Sequence, residues 1–124
     1  ECMHQNEADF TNTFRELSEE ELPQGKLYGN ESFKEWHARW QTRLEEEQPP
    51  RQSSLALMKA NNPAVIPRNH KVAEALESAN EGELNPLNDL LAALENPYEN
   101  RNDLKPYQSP PKPEEKVLQT FCGT

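Results

Sequence analysis

The sequence predicts an all-α fold: several short amphipathic helices, a helical hairpin among them, and an extended proline-rich C-terminal tail. Apolar residues recur at spacings of three and four in 10–17, 32–47, 69–80 and 85–96, which is the period of one helical face. Prolines and glycines punctuate these segments and stop each of them from running on. The one strand-like stretch, Ala64-Val65-Ile66, is bracketed by Pro63 and Pro67. It is too short for a central strand, and proline donates no ladder hydrogen bond.

Residues 1–9 carry few apolar groups and read as the end of a helix cut from preceding sequence. In 10–17, Phe10, Phe14 and Leu17 mark one face. Ser18 with Glu21 resembles a capping box, but Pro23 and Gly25 stop a long helix there. The clearest helix is 32–47. Ser32 with Glu35 fits a capping box, and Phe33, Trp36, Trp40 and Leu44 form one stripe. Glu45-Glu46-Glu47 stand at the unfavourable end of the helix dipole, so its last turn is expected to fray. Pro49-Pro50 end it. Ser53 or Ser54 is the candidate cap of a short helix carrying Leu55, Leu57 and Met58, which Asn61-Asn62-Pro63 stop.

Residues 63–67 then read as a rigid, partly buried connector that sets the angle between two helices. Beyond it, 69–80 places Val72, Ala75, Leu76 and Ala79 inward, with Gly82 just past the end. Asn85-Pro86 is a second start, asparagine as cap and proline at the first helical position. Leu87, Leu90, Leu91 and Leu94 follow as the densest apolar stripe. The short link between these two helices predicts an antiparallel hairpin. From residue 97 the pattern breaks. Pro97, Pro106, Pro110, Pro111 and Pro113 make the segment extended and turn-rich, with Tyr98, Tyr107, Val117, Leu118 and Phe121 as candidate anchors. The expected division is therefore a helical region, 1–96, and a tail, 97–124.

The totals bound the partners. Apolar residues are 33% of the 124, against about 45–50% in typical domains counted with glycine. Such a chain forms an amphipathic layer that borrows part of its core from a partner surface; a loosely packed independent helical domain is the alternative. Twenty-two acids against 13 Lys and Arg leave a net charge of −9. That argues against nucleic acid and anionic membranes, which require a basic footprint. No apolar run has the length of a membrane span. Cys2 and Cys122 stand at opposite ends and make no disulfide framework.

Few motifs point to chemistry. Gly25-Lys26-Leu27-Tyr28-Gly29 matches neither a dinucleotide fingerprint nor a P-loop, and reads as a surface turn. His4, His37 and His70 lie far apart, with no CxxC or HExxH, so no metal site is expected. His37 reads as a half-exposed helix residue and His70 as serving the start of its helix. The runs 19–21 and 45–47 read as solvated carboxylates, whereas acid–base work needs one desolvated. The Trp36 and Trp40 pair reads as core. Arg68 is suited to pair with an acid or to cap carbonyls of a neighbouring segment. Cys122, third from the end in an apolar-led segment, is inert in the simplest reading. On a mobile tail it also has the means to reach a second cysteine and form a reversible disulfide.

Several segments together resemble the selenoprotein O family of kinase-like enzymes: DFTNTFREL at 9–17, FKEWHARWQTRL at 33–44, NPAVIPRNHKVAEAL at 62–76, NPLNDLLAALENPYE at 85–99 and the ending FCGT. The resemblance covers nearly the whole chain, and 62–76 is its most specific part. It implies the C-terminal piece of a larger protein adenylyltransferase, one that binds ATP in a flipped orientation with magnesium and transfers AMP to Ser, Thr or Tyr hydroxyls of proteins. The family's phosphate- and magnesium-handling residues lie upstream, so no catalytic, cofactor-binding or metal residue carries over to this chain. Only Cys122 does, as the redox thiol, with a disulfide partner in the catalytic region. The family's common Ser-Ser ending is Gly123-Thr124 here. The implied partners are the upstream kinase-like domain and protein substrates, with no nucleic acid and no membrane. The implied location is the cytoplasm for a bacterial protein and mitochondria for a eukaryotic one. The rival readings are a stand-alone helical interaction module and, further off, a thiol-dependent redox enzyme.

Overall fold

The computed structural model describes residues 1–47 and 50–118. Among them the fold is all-α, with eight α-helices: α1 (Cys2–Gln5), α2 (Phe10–Glu16), α3 (Lys26–Gly29), α4 (Glu31–Glu46), α5 (Arg51–Asn61), α6 (Asn69–Asn80), α7 (Asn85–Leu94) and α8 (Lys105–Gln108). Short 3-10 turns stand at Asn102–Leu104 and Pro113–Glu115. The chain divides into two compact units, Glu1–Pro63 and Ala64–Thr124.

In unit 1, Leu17, Leu27 and Phe33 form the core, with Met3, Phe14, Leu22, Tyr28, Trp40 and Met58 packed around them. Asp9 caps α2, its carboxylate accepting from the Asn12 N–H at 2.9 Å. Only part of the expected α2 stripe is inside. Phe10 is 70% exposed, while Thr13 and Arg15 are buried. The reason is the Arg15 guanidinium, which donates to the carbonyls of Lys59 at 2.9 Å and Asn62 at 2.8 Å. Those carbonyls end α5 and lack intrahelical partners, so a buried cation there offsets the helix dipole as well.

The stretch expected as a surface turn is α3, one helical turn that buries Leu27. Tyr28 stands edge-on to Phe33 at 5.1 Å and donates its hydroxyl to the Glu16 carboxylate. Helix α4 starts one residue before Ser32. Its cap is Asn30, whose side chain accepts from the Phe33 N–H at 3.3 Å, so the Ser32–Glu35 box is not the device used. Helix α4 runs through Glu46, and Arg43 reaches Glu47 at 3.0 Å, a cation near the dipole's negative end. Helix α5 begins at Arg51, so Ser53 and Ser54 lie inside its first turn.

Unit 2 has a small core of Ala64, Val65, Ala93 and Leu104, with Leu94 and Tyr107 against it. Residues 64 and 65 are buried without a ladder. Both of their N–H groups donate to the Pro97 carbonyl, at 2.7 and 3.3 Å, and the Ala64 carbonyl accepts from Gln108 Nε2 at 3.0 Å. Helices α6 and α7 are the most extensively packed helix pair among the described residues. Gly82, at φ +91°, ends α6 in a Schellman arrangement: its N–H donates to Ala79 and that of Glu83 to Ser78. The expected inward faces are only half right. Ala75 and Leu90 are buried, but Leu76 and Leu91 are exposed. Asn85 is inside α7 rather than its cap, and the Glu83 carboxylate accepts its N–H at 2.9 Å. The segment after 97 is less extended than expected. It turns twice over 102–108, and Leu104 is 0% exposed, since a buried leucine supplies apolar area this unit otherwise lacks.

Three substitutions test this packing. Leu104→Ala should lower the unfolding free energy by about 2–5 kcal/mol, whereas Leu91→Ala, at a side chain 57% exposed, should stay within about 0.5 kcal/mol. Urea unfolding monitored by circular dichroism reads both, and equal losses would contradict the unit 2 core. Gly82→Ala should cost about 1–2 kcal/mol, because a Cβ disfavours positive φ.

Candidate functional site

The described surface of unit 1 holds an open cleft of about 470 Å³. Its floor is apolar: Leu17, Leu22, Trp40, Leu44 and Leu55. These residues meet because the chain turns sharply after α2. Ser18, fully buried, donates its hydroxyl to the Arg15 carbonyl, and the N–H groups of Ser18 and Glu19 take the Arg15 and Glu16 carbonyls. Residues 19–22 then run along one wall, with α4 and α5 forming the rest. Glu19, Glu20, Glu21 and Glu45 line the opening. Glu19 pairs with Lys59 at 2.8 Å. Arg51 also lines the cleft, and its guanidinium donates to the Glu20 main-chain carbonyl at 2.9 Å.

Of the two tryptophans expected in the core, Trp40 packs against it while Trp36 lies at the surface. Trp36 is 39% exposed and lies parallel to Trp40, ring centroids 5.8 Å apart and planes within 5°. His37 stacks on Phe33 at 5.8 Å and faces the cleft. Burial lowers its pKa from the ordinary imidazole value, and the nearby Arg51 charge lowers it further. Tyr28 is held in the protonated phenol form well above its usual range, by burial first and then by the Glu16 carboxylate.

The histidines singled out in the sequence are not brought together. His4 is in α1, His37 in α4 and His70 in the first turn of α6. Among the described residues no group of three or more His, Cys, Asp or Glu is placed to hold a metal ion. Arg68 is buried at the N-cap of α6, and its carbonyl accepts from Lys71 and Val72. Cys2 is a free thiol, half-buried beside the unit 1 core, with Asn30 Oδ1 3.7 Å from Sγ. Cys122 lies outside the described residues. The cleft itself was invisible to spacing arguments, because its acidic lining joins residues 19–21 to Glu45, over twenty residues away.

The His37 environment has a pH consequence. The folded state binds the imidazole proton less well than the unfolded chain, so stability rises with pH wherever the unfolded chain holds more protons. The contribution is complete above the unfolded value of about 6.5 and is lost as pH falls through the lower folded value. An NMR titration should place the His37 midpoint below 6.5, and His37→Gln should flatten the acid limb of a stability-against-pH curve. A midpoint at or above the free-imidazole value would contradict the geometry.

No family model matches the chain. It is 50% identical over 124 residues to protein nucleotidyltransferase YdiU of Syntrophotalea carbinolica. The proteins of that name from Alcanivorax borkumensis and Nitrosococcus oceani are 50% and 46% identical over 123 residues. These alignments take in 98–99% of this chain but 25% of each relative. The chain thus spans about a quarter of the length of the curated relatives it matches, and over that quarter it is strongly similar to protein nucleotidyltransferases.

Proposed function

We propose that the chain is the C-terminal helical region of a selenoprotein O-like protein adenylyltransferase. The whole enzyme would move AMP from ATP to Ser, Thr or Tyr hydroxyls of protein substrates. The observation that carries this reading is identity of 46–50% to nucleotidyltransferases along nearly all of the chain, within a quarter of their length. The region's own role is structural and regulatory: it packs on the kinase-like catalytic domain. Large apolar side chains left at the surface support this, among them Phe10, Trp36 and Leu57 in unit 1 and Leu76, Leu84 and Leu91 in unit 2.

In this reading residues 1–96 are the helical region, with α6 and α7 as its hairpin. Residues 97–124 are the tail, anchored through Leu104 and Tyr107 and ending in the redox thiol Cys122. A bacterial protein of this kind works in the cytoplasm. In this reading ATP and magnesium belong to the whole enzyme. Among the described residues, Gly25 and Gly29 bound a single helical turn whose Leu27 is core, and no carboxylate group is arranged for a cation. No step of AMP transfer is therefore assigned to them. A stand-alone helical interaction module is the second reading, favoured by the unit 1 cleft.

The 124 residues alone should incorporate no labelled AMP, while the same region within a full-length relative should accompany incorporation. Labelling by the isolated chain would refute the division of labour. Cys122→Ser in the full-length protein should abolish a reductant-sensitive mobility shift on a non-reducing gel; an unchanged shift would remove Cys122 from the redox role.

A further inference from the structure

We infer that the unit 1 cleft is a docking groove for a basic amphipathic peptide segment, with apolar side chains on the Trp40–Leu44–Leu55 floor and lysine or arginine against Glu20, Glu21 and Glu45. The cavity, at about 470 Å³, lies within the range of roughly 300–1,000 Å³ that ligand sites occupy. Its floor offers the apolar area that gives affinity. Charge complementarity then selects the occupant. Glu20, Glu21 and Glu45 are exposed around the opening. Glu19 has Lys59 as partner, and Arg51, engaged with a main-chain carbonyl, is the one Lys or Arg in the lining. His37, beside them in the lining, sits where burial first and then the nearby Arg51 charge disfavour the imidazolium. An anion, a nucleic acid or an acidic peptide meets repulsion here.

The lining carboxylates come from two segments, residues 19–21 and, through Glu45 alone, α4, and they share the cleft with the apolar Trp40, Leu44 and Leu55. A single compact cation reaches one of these segments. A peptide with a central apolar anchor and flanking cations reaches both, as basic amphipathic helices do in acidic-rimmed grooves. The inference concerns the cleft's chemistry and does not require the adenylyltransferase reading.

The test uses the 124-residue chain with Trp36→Phe, so that fluorescence reports Trp40. The probes are a capped leucine–lysine peptide about twelve residues long at helical spacing, its glutamate counterpart, and a dodecylammonium salt. The lysine peptide should bind saturably and about tenfold more weakly in roughly 0.5 M than in low salt. The combined Glu20→Gln, Glu21→Gln and Glu45→Gln variant, with unchanged circular dichroism, should bind about tenfold more weakly. Leu44→Gln should weaken binding at either salt concentration, and Glu77→Gln in unit 2 should leave it unchanged. Equal binding of the glutamate peptide, or no lysine-peptide binding, overturns the inference. So does binding of dodecylammonium without the peptide, or self-association by sedimentation that the Gln variants abolish, which would make a second copy the occupant.

Discussion

Unpaired backbone carbonyls are the constraint that both units are built around. Short helices leave many of them, since the last four in every helix lack intrahelical partners. Proline-rich joints add more, and an orphaned polar group inside the fold costs about 1–3 kcal/mol. In unit 1 the answer is Arg15, whose fork closes the end of α5 on Lys59 and Asn62. In unit 2 the answer is Pro97, whose carbonyl serves both Ala64 and Val65, and Gln108, which serves Ala64 in return. These contacts join residues over thirty positions apart, so each helps to hold its unit closed.

The same constraint explains how so little apolar material yields ordered cores. A unit of about sixty residues buries only about 60% of its unfolded surface even when well supplied, and this chain is 33% apolar. Leu17, Leu27 and Phe33 on one side of the division and Ala64, Val65, Ala93 and Leu104 on the other are small clusters. Side chains that satisfy main-chain groups let the surrounding backbone come out of water without penalty. The apolar residues left over then define surfaces: the floor of the unit 1 cleft, and the exposed leucines of α6 and α7.

The cleft shows how one turn converts a bland acidic run into a recognition feature. Residues 19–21 read as solvated carboxylates, and Glu20 and Glu21 do remain exposed. Folding changes what lies beneath them. The bend at Ser18 lays the run along a wall above Trp40, Leu44 and Leu55, and the carboxylates become the rim of an apolar basin. Salt pairing such as Lys59–Glu19, more than a third exposed on both sides, contributes little to stability. Its effect is on the charge balance of that rim.

Local chemistry written in the sequence determined the all-α class, the placement of α4, α6 and α7, and the glycine stop at Gly82. Helical periodicity, caps and proline breaks act within a few residues and need no knowledge of the rest of the chain. The resemblance at 62–76 likewise pointed to the nucleotidyltransferases that the chain matches. Tertiary structure alone decided which apolar residues are core. Phe10, Leu76 and Leu91 match the helical pattern as well as Leu17, Ala75 and Leu90 do, yet they face out. It also decided that Leu27 and Leu104 are buried, that Arg15 goes inside, and that Glu45 lines the same cleft as the distant acidic run 19–21. Burial of a given side chain depends on which surface arrives opposite it, and those surfaces come from partners tens of residues away that no local period encodes.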